Sequence, residues 1–189
     1  IIGEAFTTYI IAQIDDELLL IDKHAAHERY IFEKIKNDNS MLNTQLLLEP
    51  VEVLLSYEEY DAFISNKDKI NILGFSFAEA DGSKIIIDGI PTVLNNTDIS
   101  DIIPELAVNL IMQKKNPSNN VFDELFHSIA CKSAIKANDK SDKIELLSLV
   151  KNIYNDNNIK YCPHGRPVLI KLTKKEIEMS SDLITKLKW

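Results

Sequence analysis

The sequence predicts an α+β fold in two subdomains, one formed by both chain ends and carrying a candidate metal site, the other inserted between them. Three observations predict it. Two pairs of apolar, β-branched segments meet at tight turns, which reads as antiparallel hairpins. Segments of helical periodicity follow those pairs, and two of them open with capping boxes. Residues suited to hold a metal occur near residue 24 and again after residue 130, so the two ends must meet. The expected boundaries are 1–44 with 126–189 for the end subdomain and 45–125 for the insertion.

Residues 5–14 are rich in aromatic and β-branched side chains (Phe6, Thr7, Thr8, Tyr9, Ile10, Ile11). Asp15-Asp16 interrupts them and a second apolar run, 17–22, follows as the partner strand. Over 24–36, Ala25, Ile31, Phe32 and Ile35 recur at helical spacing, and Asp22 is placed either to cap that helix or to bind a metal at its start. A polar loop covers 37–43. A strand over 45–55 carries Pro50 at an edge or bend. Ser56 with Glu59 caps a helix over 57–69. Segments 75–80 and 84–90 flank Asp81-Gly82-Ser83 as a second hairpin. A helix over 102–115 tolerates Pro104 in its first turn. After the loop 116–120 come a helix over 121–137 carrying Cys131 and another from Asp142 to near Asn155. Strand 168–172 follows the loop 162–167, and Thr173 with Glu176 caps a last helix running to about Lys188.

Composition bounds the partners. At 189 residues, 45% apolar and 26% charged, the chain has the makeup of an ordinary soluble globular protein. No apolar run approaches the roughly 20 residues that span a bilayer, so no membrane partner is expected. The chain starts at Ile1 without a methionine or a signal peptide, which suggests a piece of a longer protein whose targeting its N-terminus does not tell; the expected setting is the cytoplasm, where thiols stay reduced. Its two cysteines are expected as reduced thiols, since one bridge makes no disulfide framework. The net charge of −8 argues against a broad nucleic-acid surface. Lys23, Arg29, Lys34, Lys36, Lys132, Lys136 and Arg166 nevertheless lie in or beside the ligand-rich segments, so any DNA contact is local and weak in isolation.

Three segments hold the soft ligands: 22–28, 130–132 and 162–167. His24 and Glu28, four apart on a helix, share a face. Cys162 and His164, two apart, can point to one side of a loop that Pro163 and Pro167 stiffen. A mixed set of thiolate, imidazole and carboxylate suits a borderline-soft cation such as zinc. Taken alone, Asp22, His24 and Glu28 also fit a capped, solvated helix, and Cys131 is most simply a buried helical cysteine. His27 and His127 are either auxiliary ligands or neighbours of the site. Arg166, a forked donor, fits a phosphate better than a carboxylate.

The order Asp-x-His-Ala-x-x-Glu-x4-Glu, met by Asp22, His24, Ala25, Glu28 and Glu33, is followed by Ala130-Cys131-Lys132 and then Cys162-Pro163-His164-Gly165-Arg166-Pro167. In these motifs and their order the chain resembles, over essentially its whole length, the C-terminal domain of the MutL mismatch-repair family in its endonuclease-bearing branch. One departure is Lys23, where the family usually has glutamine; it removes no ligand. The resemblance implies a homodimer that binds zinc and nicks one strand of duplex DNA with manganese or magnesium. It makes the end subdomain the dimerisation and endonuclease part and the inserted one regulatory. Lys23, Lys132 and Arg166 would contact DNA. The replication sliding clamp would meet Gln45, Leu46, Leu47, Leu48 and Pro50, a segment that reads equally as an ordinary strand. A mismatch-recognition protein of the MutS family is a further implied partner. ATP would belong only to an N-terminal domain absent from these residues.

Phosphodiester hydrolysis needs an activated water and charge neutralisation, which metal ions supply. The expected metal set is His24, Glu28, Cys131, Cys162 and His164, with Asp22, His24 and Glu28 as the catalytic group. Cys131, Cys162, His164 and Glu28 would hold a zinc-like ion, and His24 with Asp22 the hydrolytic one, Glu28 bridging. The alternative is a non-catalytic, zinc-stabilised dimerisation and adaptor module, in which the ion only knits the fold together.

Overall fold

A computed structural model describes residues 1–94, 99–115, 120–134, 142–155, 159, 161 and 167–179. Its strands are β1 (Gly3–Ala5), β2 (Tyr9–Ile14), β3 (Glu17–Asp22), β4 (Thr44–Leu54), β5 (Ser76–Ala80), β6 (Lys84–Pro91) and β7 (Leu169–Thr173). The helices are α1 (Lys23–Asn37), α2 (Tyr57–Ser65), α3 (Lys67–Ile72), α4 (Ile99–Lys115), α5 (Val121–Ser133), α6 (Lys143–Asn155) and α7 (Lys174–Met179). The α+β class expected from the sequence is the one found. The chain divides into two compact units, Ile1–Tyr30 with Ala134–Trp189 and Ile31–Ser133, and the division falls within the unbroken helix α1.

In the first unit an antiparallel sheet runs β1-β2-β3-β7. Strand alternation sends Ile10, Ala12, Leu19 and Ile21 to one face. There they bury against Ala25 and Ala26 of α1 and Leu146, Leu149, Val150 and Ile153 of α6. The opposite face carries an apolar stripe in register: Ile11 beside Leu20 beside Ile170, and Leu18 beside Leu172. Ile170 and Leu172 on it are exposed. The hairpin at Asp15-Asp16 forms as expected, with Asp15 at φ 50°. The run 5–14 is not one strand, however. Phe6 and Thr7 both take φ 54°, and Thr8 N–H closes a turn on the Ala5 carbonyl at 3.1 Å. Thr173 and Glu176 form their capping box: Glu176 Oε2 accepts from Thr173 N–H at 2.7 Å, and Thr173 Oγ1 from Glu176 N–H at 3.2 Å.

In the second unit β6 is the centre of a three-stranded sheet, order β4-β6-β5. The Asp81-Gly82-Ser83 hairpin forms, with Gly82 at φ 76°. The Ser56–Glu59 capping box is present, but the helix it opens breaks at Asn66 into α2 and α3. The Asn66 side chain donates to the Ala62 carbonyl at 2.8 Å, the competition that makes asparagine a helix stop. Residues expected as a polar loop wind a 3-10 turn over Asn39–Leu42, capped by Asp38. Helix α4 starts at Ile99 rather than at 102, which puts Pro104 inside it. Burial of Ile99, Ile102, Ile103, Leu106 and Ala107 offsets the hydrogen bond proline forfeits. Asn109 of α4 donates to the buried Ser128 hydroxyl of α5 at 2.8 Å. No helix among the described residues is long and apolar enough to cross a membrane.

Candidate metal centre

The site grows from a register between two helices. Within the second unit, the latter half of α1 packs antiparallel on α5. Lys36 pairs with Asp123 at 3.1 Å, and one turn earlier Phe32 stacks on His127 with centroids 4.0 Å apart. Each step moves four residues back along α1 and four forward along α5, the spacing of one helical face. Glu28 and Cys131 belong to a group of candidate donors. Their ligand atoms, with that of His24, all lie within 4.8 Å of one another. Glu28 is buried and Cys131, expected as a metal ligand, is exposed rather than the buried helical cysteine that its residue type alone would suggest. A helix that buries Leu125, Ile129 and Ala130 on one face turns position 131 outward.

An imidazole, a carboxylate and a thiol in this compass are the donors zinc takes, and they leave room in its tetrahedron for a further ligand. His27 is no competitor for a proton at neutral pH: burial, and then the charge of His24, lower its pKa from 6.5 to about 4. His127 is committed to its stack on Phe32.

The remaining expected residues divide. Asp22 lies outside the three-donor group; its Oδ1 caps α1, accepting from Ala25 N–H at 3.0 Å. Lys23 corrects an expectation. It is fully buried, its ammonium 3.2 Å from Glu4, and cannot reach a phosphate. Lys132 is half-buried, 3.7 Å from Glu105. Cys162, His164 and Arg166 lie outside the described residues, as do Lys136, Leu183, Ile184, Leu187 and Trp189. The roots of their loop are described: Tyr161 bridges Pro167, and the Val168 carbonyl accepts from Asp22 N–H at 3.0 Å. That bond sets the end of the loop beside the first turn of α1. Gln45, Leu46, Leu47, Leu48 and Pro50 fall on β4, an edge strand. The ladder with β6 jumps from Leu46 to Val51, and Leu46 and Leu48 stand almost fully exposed on the bulge.

A family model described as the MutL C terminal dimerisation domain matches residues 2–141. The chain belongs to the MutL C-terminal family. His24, Glu28 and Cys131 fall inside the MutL C-terminal match, whereas the 162–167 loop lies beyond it. A protein named DNA mismatch repair protein MutL, from Clostridium botulinum (strain Kyoto / Type A2), is 37% identical over 180 residues, which is 94% of this chain and 27% of the relative. The MutL of Clostridium tetani (strain Massachusetts / E88) is 34% identical over 94% of the chain and 29% of its own length. That of Clostridium perfringens (strain ATCC 13124) is 33% identical over 98% and 28%. The chain thus spans little more than a quarter of the length of these MutL relatives.

Proposed function

We propose that the chain is the homodimerising, metal-dependent DNA-nicking module of a MutL-type DNA mismatch repair protein. The observation that carries this reading is the His24, Glu28 and Cys131 cluster, three donors from two distant helices converging within 4.8 Å. Cys162 and His164 complete the set, a reading supported by the hydrogen bond from Asp22 N–H to the Val168 carbonyl. Glu28, Cys131, Cys162 and His164 hold zinc. His24 and the second oxygen of Asp22 serve a manganese or magnesium ion. Bound ions supply charge neutralisation and an activated water for phosphodiester hydrolysis. Arg166 and Lys132 position the phosphate, Lys132 by exchanging Glu105 for it.

Dimerisation uses the stripe of Ile11, Leu18, Leu20, Ile170 and Leu172 on the outer sheet face. An apolar face of this kind is self-complementary across a two-fold axis. Residues 1–44 and 126–189 form this dimerisation and endonuclease part. The 45–125 insertion is regulatory and meets the sliding clamp through Gln45, Leu46, Leu47, Leu48 and Pro50; the exposure of Leu46 and Leu48 supports that role. A MutS-family protein is the mismatch-sensing partner, ATP acts on an N-terminal domain of the longer protein, and the setting is the bacterial cytoplasm.

One observation favours the alternative of a non-catalytic zinc adaptor: Asp22 spends an oxygen on the helix cap. Nicking of supercoiled plasmid by the full-length protein with manganese separates the two. The proposal expects nicking that Glu28→Lys abolishes while gel filtration still shows a dimer. Undiminished nicking by the folded variant would remove Glu28 from the chemistry, and no nicking by the wild type would favour the adaptor.

A further inference from the structure

The cluster of bonds at the start of α1 does more than cap a helix. Lys23 is 0% exposed, one of the largest fully buried side chains in the described residues. Its Nζ lies 3.2 Å from Oε2 of Glu4 on β1. Its N–H donates to the Thr8 carbonyl at 2.9 Å, in the turn that Phe6 and Thr7 make with left-handed backbone. Asp22 ties the same turn of helix to Val168. A buried ammonium is costly unless it keeps its partner. The first turn of α1 therefore cannot shift or rotate without stranding that charge. His24 is the next residue and Glu28 one turn on.

We propose that Lys23 and Glu4 form a positioning latch, which sets the first turn of α1 and so holds in place His24 and, one turn on, the zinc donor Glu28. The latch rests on the metal reading above. It also explains why a lysine is kept in so dry a place: a neutral apolar side chain would fill the space without fixing the strand to the helix. Partners that orient ligands commonly govern metal affinity by ten- to a hundred-fold. If Lys23 served only to hold β1 down, its loss would lower stability and leave affinity unchanged.

Zinc affinity of the full-length protein, measured by competition with a chromophoric chelator, tests this on variants whose folding is verified by circular dichroism. Lys23→Met, equal in bulk but uncharged, is expected to weaken zinc binding about ten-fold. Lys23→Gln, which can still donate to Glu4, recovers most of that loss. Glu4→Gln, which spares the lysine, gives an intermediate loss and serves if Lys23→Met does not fold. Glu28→Ala is the reference for the site itself. Wild-type affinity in Lys23→Met or Glu4→Gln, alongside loss in Glu28→Ala, overturns the latch and leaves the site standing. Wild-type affinity in Glu28→Ala overturns the site, and the latch with it.

Discussion

Cys131→Ser separates the metal site from the fold more cleanly than any other change. The thiol is exposed, so replacing sulfur by oxygen removes no packed volume, and the metal-free variant should melt within about 0.5 kcal/mol of wild type. Zinc at a hundred times its dissociation constant stabilises a protein that binds it only when folded by about 2.7 kcal/mol. In a chain of 189 residues each kcal/mol moves the melting midpoint by about 2–4 °C. Wild type should therefore melt about 5–11 °C higher with zinc than after chelation. The serine variant should show almost none of that increment, because a hydroxyl is a poor zinc ligand beside a thiolate. Differential scanning calorimetry of both proteins, each with zinc and with chelator, gives the four midpoints required. A full zinc increment in Cys131→Ser would refute the donor cluster. A metal-free variant several kcal/mol below wild type would refute the exposed placement of the thiol.

Phe32→Ala should cost about 3–5 kcal/mol, since it empties a buried position and leaves His127 without its stack; urea denaturation measures it. Ile170→Lys, which puts a charge in the middle of the outer apolar stripe, should convert a dimer to a monomer by light scattering with the circular dichroism spectrum unchanged. The Glu176 carboxyl is held below its ordinary range by Thr173 N–H and then by the Thr173 hydroxyl. Its contribution is complete above the ordinary carboxylate range and is lost as pH falls through the folded-state value. Amide exchange should thus show α7 fraying on acidification, and Glu176→Gln should abolish that pH dependence.

Features written in local chemistry were legible. Asp81-Gly82-Ser83 carries its turn in the residue types themselves, and the two capping boxes need only four consecutive residues each. Features decided by distant partners were not. Phe6, Thr7 and Thr8 have strand composition, yet they turn, because the Thr8 carbonyl is taken by Lys23 N–H across the sheet edge. Asn66 looks like any polar helix residue until its side chain finds the Ala62 carbonyl. Lys23 is the clearest case. A lysine beside a ligand motif in an acidic chain reads as a surface cation, and the carboxylate of Glu4, nineteen positions earlier, helps to make its burial tolerable. At the candidate site, the residue types for zinc were legible, and the helical spacing of His24 and Glu28 with them. That Cys131 joins them is an expectation drawn from donor chemistry and from the family resemblance, since nothing local to residues 130–132 announces it.

That register also bears on why an ion belongs where it is proposed. Along the seam of α1 with α5, the outermost pair, Lys36 with Asp123, is a cation facing a carboxylate, its side chains 46% and 33% exposed. The next, Phe32 with His127, is aromatic and keeps water out. The third set is the candidate donor group, in which the buried carboxylate of Glu28, the Cys131 thiol and the His24 imidazole have ligand atoms within 4.8 Å of one another. Glu28 is only 3% exposed, and a buried carboxylate stays ionised only beside positive charge or hydrogen-bond donors. Lysine supplies that charge at the first pair; the residues gathered at the third are those a divalent ion can satisfy together, and a lysine could serve only one of them. The proposed site thus joins one buried donor, Glu28, to one that faces solvent, Cys131, and solvent is the side from which an ion would enter.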